Sequence, residues 1–220
     1  MSSNQSRVPV IGVVGAIGAG KSSVVQELAR RCPAIRIIDA DVVGHAVLEE
    51  PEVKQRLGHL FGNIFLPDGR VDRKKLAQLV FGPTEKHQKA LRQLESIVHP
   101  VMGCRLKEII ERYRSDQSTE AVLLDAAVLF EAGWNKFCDA VVFVDAPTSQ
   151  RMARIVNSRG WSVEEFKNRE LSQLSLEQKK GRADFIVLNA DGEKDKAVEE
   201  LRKFLTQLKS STFQASKRKK

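Results

Sequence analysis

Short apolar runs, most of them closed by glycine or aspartate, alternate along the chain with longer stretches in which apolar positions recur every three or four residues. Val8 to Val14 reads as a buried strand, with Pro9 tolerated at its entrance. Ile35 to Ile38, Ala121 to Leu124, Ala140 to Val144 and Phe185 to Leu188 read as four more. From Lys21 onward Val24, Val25 and Leu28 keep helical spacing until Cys32-Pro33 closes that helix. Strands separated by helices predict an α/β fold with a central parallel sheet flanked by helices on both faces.

Between the second strand and Ala121 lie about eighty residues, too many for a plain connection, so they must carry structure of their own. Their pattern is helical: Leu57, Leu60 and Phe61, then a turn at Pro67-Asp68-Gly69, then Leu76, Leu79 and Val80. Leu91, Leu94, Val98 and Val101 predict a third helix, bent at Pro100. After the fourth strand, Met152, Ile155 and Val156 mark a helix and Val163 to Lys179 a second, charged one; Leu201, Leu205 and Leu208 give the last helix an apolar stripe.

A chain of 220 residues has room for one domain with an insert. The expected division is a leader at 1–7, a single domain at 8–209 and a basic tail at 210–220. No apolar run approaches the roughly 20 residues of a membrane span, and the leader lacks a signal-peptide core, so the expected compartment is the cytoplasm. Cys32, Cys104 and Cys138 form no CxxC pair and read as reduced thiols. The formal charge of +8 falls to +4 without Lys217-Arg218-Lys219-Lys220, and suits phosphorylated metabolites as well as it suits nucleic acid.

Chemistry enters at Gly15-Ala16-Ile17-Gly18-Ala19-Gly20-Lys21-Ser22, which fits G-x-x-x-x-G-K-[ST] between a strand and a helix. Glycines there let backbone amides turn toward phosphate oxygens. Lys21 is expected to reach the β- and γ-phosphates of ATP, and the Ser22 hydroxyl to ligate Mg²⁺. A guanine signature is absent: Asn135-Lys136-Phe137-Cys138-Asp139 is one residue too long and precedes a strand. The small size favours a small-molecule kinase over a switch or a motor. Asp39 and Asp41 follow the second strand at the carboxyl edge of the sheet, where an acceptor would lie; one is expected to be catalytic and the other structural. A helix N-cap is the competing reading of that pair.

Taken with Ile38-Asp39-Ala40-Asp41, His45, Gly69-Arg70-Val71-Asp72-Arg73 with Leu76, Val80 and Phe81, Leu94-Glu95, His99-Pro100, Asp125-Ala126-Ala127-Val128-Leu129-Phe130-Glu131, Gln150, Gln173, Lys179, Ala183-Asp184 and Asn189, the chain resembles the dephospho-CoA kinase family of P-loop kinases from Val10 to about Leu208. The resemblance implies a helical acceptor-binding insert at about 51–113 and a lid at about 156–180. It implies transfer of the γ-phosphate of ATP to the ribose 3′-hydroxyl of dephospho-CoA. Gly18, Ala19, Gly20, Lys21, Ser22 and Ser23 would bind the nucleotide, Asp41 would be the base, and Asp39, Arg73, His99 and Asp125 would surround the acceptor or the metal. Val14 and Ala127 depart from the residues found in many members. The phosphate-balancing arginine has an ambiguous register; Arg154 is expected in that role and Arg151 to be replaceable with mild effect. Trp134 and Trp161 read as packing residues. A nucleoside or nucleotide kinase and a basic nucleotide- or RNA-binding protein are the alternative readings.

Overall fold

The computed structural model describes residues 7–209; most of the leader and all of the basic tail lie outside the described residues. Five strands form one sheet: β1 (Val10–Gly15), β2 (Ile35–Asp39), β3 (Ala121–Asp125), β4 (Ala140–Asp145) and β5 (Phe185–Leu188). Their order is β2-β3-β1-β4-β5 and every neighbouring pair is parallel. β1 starts after Pro9 because proline has no amide to donate, although its carbonyl still accepts from Val122 at 2.9 Å.

Side-chain alternation divides the core between the two faces. Val10 and Val14 of β1, Val122 and Leu124 of β3 and Phe143 of β4 point to one face; Ile11, Val13, Leu123, Val142 and Val144 point to the other. The second face is covered by α1 (Lys21–Arg31) and by Lys194–Lys209, whose Leu201, Leu205 and Leu208 are buried as their spacing predicts. Over the first face stand α2 (Ala40–Leu48), α3 (Pro51–Phe61), α4 (Arg73–Val80) and α5 (Glu85–Ser115), the last about 46 Å long. α5 runs through Pro100, which lies with Ser96 on its exposed side, where the one lost amide bond meets water. α2 escaped the periodicity reading because Val42, Val43 and Gly44 are poor helix formers, and Val42 is exposed. Pro67-Asp68-Gly69 does form a turn, closed by an antiparallel bridge between Phe65 and Val71.

Past β4 come α6 (Thr148–Arg159), α7 (Val163–Leu171) and α8 (Leu176–Arg182); the closing helix Lys194–Lys209 is α9. One charged helix was expected across Val163 to Lys179, and two are found. The break is written in Ser175-Leu176-Glu177-Gln178: Ser175 accepts from the Gln178 amide at 3.2 Å and its own amide donates to the Gln178 side chain at 3.1 Å, which starts a new helix. Among the described residues no helix is long and apolar enough to cross a membrane.

Candidate active site

The chain leaves β1 toward β2, then returns to fill the gap with β3 before departing toward β4 on the other side. The crevice beyond the carboxyl ends of β1 and β3 is therefore where the connections diverge, the usual position of a ligand in an open parallel sheet. A cavity of about 280 Å³ opens there, with Lys21, Ser22, Asp39, Asp41 and Asp125 in its wall. They come from three segments, 21–22, 39–41 and 125, which the strand order brings together.

The phosphate loop is shaped for an anion. Gly20, the N-cap of α1, is left-handed with φ 77°; no side chain caps the helix and its first turn holds no acidic residue, so its leading amides remain available. Gly18 is also left-handed, and a Cβ there would stand 2.5 Å from the Arg151 carbonyl oxygen, so glycine is required by conformation and by space. From behind, the buried Asn189 donates to the Ala19 carbonyl at 2.7 Å and fixes the loop against the end of β5.

Ser22 Oγ donates to Asp125 Oδ2 at 2.5 Å. Asp125 ends β3 and is only 7% exposed; burial pushes its carboxyl above the usual range, Lys21 and the Ser22 hydroxyl pull it back, and Asp39 and Asp41 push it up again. Three carboxylates thus compete for the positive charge of one lysine and of the loop amides, an arrangement suited to binding a cation along with phosphate. Asp145, at the end of β4, instead pairs with Lys180 at 2.6 Å and accepts from the Ala146 amide.

On one strand Asp39 and Asp41 would share a face; what separates them is that β2 ends at Asp39 and α2 begins at Ala40. Asp39 caps that helix, accepting from the amides of Asp41 at 2.9 Å and Val42 at 3.2 Å. Asp41 is exposed in the first turn, and both line the cavity. Asp39 is thus committed to the cap, while no cap bond engages the Asp41 side chain. A second, mostly apolar cavity of about 240 Å³ continues from Asp41 between α2 and α5, with Leu48, Val98, Met102 and His99 in its wall. His99 meets Trp134 edge-on at 5.3 Å, and burial pushes its pKa down against the pull of Glu131. Arg73, at the start of α4, is exposed and stands outside the wall of the cavity around Lys21.

The two arginines of α6 have separate places, and neither lines that cavity. Arg154 lies at the outer side of the phosphate loop, donating to the Gly18 and Ala19 carbonyls at 3.4 Å, to Asn189 O at 3.0 Å and to Asp191 at 2.6 Å. Arg151 is 1% exposed, bonded to Glu170 at 2.5 Å and to the Ile17 and Ala146 carbonyls at 3.1 and 3.2 Å. The expectation that Arg151 is replaceable with mild effect therefore changes: it ties the phosphate loop to α6 and α7. Arg151→Ala should lower unfolding free energy by about 2–4 kcal/mol, since it strands a partly buried carboxylate and two carbonyls. Urea denaturation checks this; a loss under about 1 kcal/mol would mean that the pair behaves as an exposed one.

By sequence Trp161 reads as packing, Phe81 enters only as a residue of the family resemblance and Arg169 not at all, yet all three line the cavity around Lys21. Arg169 is one of several charged residues on α7, and no local pattern marks it. Gln173 and Lys179 are structural ties: the fully buried Lys179 donates to Ala127 O and Gln173 at 2.8 Å and pairs with Glu131 at 2.9 Å, lacing the loop after β3 to α8.

A family model described as dephospho-CoA kinase matches residues 9–195. The dephospho-CoA kinase of Dehalococcoides mccartyi is 34% identical over 82% of this chain and 88% of its own length, and that of Symbiobacterium thermophilum 38% identical over 82% and 73%. Among solved structures, a Thermus thermophilus protein superposes with a TM-score of 0.74 at 30% identity, covering 93% of this chain and 100% of its own. A shikimate kinase from Acinetobacter baumannii, at 14% identity and a TM-score of 0.53 over 93% and 96%, shares the fold. On the extent of these matches, and with the phosphate loop and its carboxylates assembled at the sheet edge, the chain belongs to the dephospho-CoA kinase family.

Proposed function

We propose that the protein transfers the γ-phosphate of ATP to the ribose 3′-hydroxyl of dephospho-CoA, yielding coenzyme A and ADP. The observation that carries the reading is the continuity of two cavities through Asp41, one walled by the phosphate loop and the other apolar under α2 and α5. Triphosphate in the first and acceptor in the second place the transferred group beside that carboxylate.

In this reading the loop amides and the leading turn of α1 hold the β- and γ-phosphates, and Lys21 follows the charge of the migrating group. Asp41 takes the proton of the acceptor hydroxyl as its oxygen attacks phosphorus and the bond to the ADP oxygen breaks. Ser22 and Asp125 are hard oxygen donors in contact, a set that suits Mg²⁺, which binds through few protein oxygens and completes its shell with water and substrate phosphates. Among the described residues no group of three His, Cys, Asp or Glu side chains could hold a metal unaided. When bound, Mg²⁺ supplies positive charge to the phosphates. Asp39 orders α2 beneath Asp41, and His99 offers its imidazole to the acceptor from the wall of the second cavity. Arg154 braces the outer side of the loop near the nucleotide. Arg73 would reach the acceptor only with movement of the insert.

Incubation with ATP, Mg²⁺ and either dephospho-CoA or a panel of nucleosides and nucleotides tests this. CoA formation is expected; turnover with the panel alone would make the protein a nucleoside or nucleotide kinase, and salt-sensitive RNA binding without turnover would make it a nucleic-acid binder.

A further inference from the structure

Arg169 is held between two aromatic rings that belong to different parts of the molecule. Its guanidinium carbon lies 4.4 Å from the ring centroid of Phe81, just past α4, and 4.1 Å from that of Trp161, just before α7. Arg169 also pairs with Glu165 on its own helix at 3.0 Å, a carboxylate 42% exposed and so easily exchanged for a better anion. All three residues of the sandwich line the cavity of Lys21, Asp41 and Asp125; Arg151, bonded to Glu170 and the Ile17 carbonyl, and Arg154, bonded to Asp191 and the Asn189 carbonyl, do not.

The geometry points to Arg169 as the side chain that balances charge on the transferring phosphoryl group, with Phe81 and Trp161 as positioning residues that hold its plane. This rests on the kinase reading above and adds the source of the arginine. A guanidinium stacked on aromatic faces keeps its edge N–H groups for ionic partners, so the rings fix direction without consuming donors; here Nε and Nη2 donate to Glu165 Oε1 at 3.2 and 3.0 Å, and phosphate oxygens would take that carboxylate's place. Because one ring comes from the helical insert and the other from the segment after α6, the arginine is aimed only when both stand over the phosphate loop. Closure over acceptor and delivery of the charge become one event.

The test compares steady-state kinetics of Arg169→Lys, Phe81→Leu, Trp161→Leu, Phe81→Tyr and Trp161→Phe, each checked for folding by circular dichroism. At saturating ATP and dephospho-CoA, Arg169→Lys should lower kcat by about a hundred-fold or more while leaving KM for ATP within a few-fold, because lysine keeps the charge and loses the planar fork. The leucine variants should lose about five- to thirty-fold in kcat, and the Tyr and Phe variants should recover most of it. Near-wild-type kcat in Arg169→Lys, or ring-conserving variants as impaired as the leucine ones, overturns the assignment. If the wild type itself forms no CoA, the kinase reading fails instead, so the two failures are separable.

Discussion

Replacing Lys21 by alanine is expected to lower kcat by at least about a thousand-fold while leaving the fold intact. Lys21 opens α1 at the end of the phosphate loop and stands in a cavity wall that also holds Asp39, Asp41 and Asp125. Without it, Arg169 is the one remaining cationic side chain among the described residues of that wall, facing three carboxylates and a triphosphate. The loss should be large even with Mg²⁺ bound, because no other ammonium in the wall can follow the charge of the migrating group. Stability should change little, since the helix keeps Val24, Val25 and Leu28 in the core. Single-turnover kinetics with saturating ATP check this; a variant that loses only ATP affinity would restrict Lys21 to binding.

The next largest effect belongs to Asp41→Asn, which should reduce kcat about a hundred- to ten-thousand-fold with little change in KM for the acceptor. An amide occupies the same volume and can still hold a hydroxyl, but cannot take its proton. Asp41 is exposed in the first turn of α2, and Asp39 rather than Asp41 caps that helix, so melting should be nearly unaffected. Asp39→Asn is the matched control: asparagine caps a helix as well as aspartate does, and activity should survive far better. Comparable losses in both variants would remove Asp41 from the base role.

Much of this was legible because it is local. Buried parallel strands are short apolar runs, and the residues that end them, Gly15, Asp39 and Asp125, fall at the sheet edge by construction. The phosphate loop carries its function in its own backbone. Other features depend on approach between distant segments. Arg151 and Arg154 stand one helical turn apart with the same chemistry, and only packing shows that one is buried under the phosphate loop and the other lies at its outer side. Arg169 became visible when Phe81, 88 positions earlier, was found against it. The split between α7 and α8 was within reach of the sequence, since Ser175 and Gln178 spell a capping box, but the charge-rich run on both sides masked it. Asp39 and Asp41 look like neighbours on one strand until the helix is seen to start between them.

The most direct test of the central claim is to locate the new phosphate. Phosphorus NMR of the mixture after incubation with ATP, Mg²⁺ and dephospho-CoA should show a phosphomonoester on the ribose C3′ oxygen, growing in step with ADP. ADP released without a phosphorylated acceptor, or phosphate carried on any other oxygen of dephospho-CoA, would contradict the account.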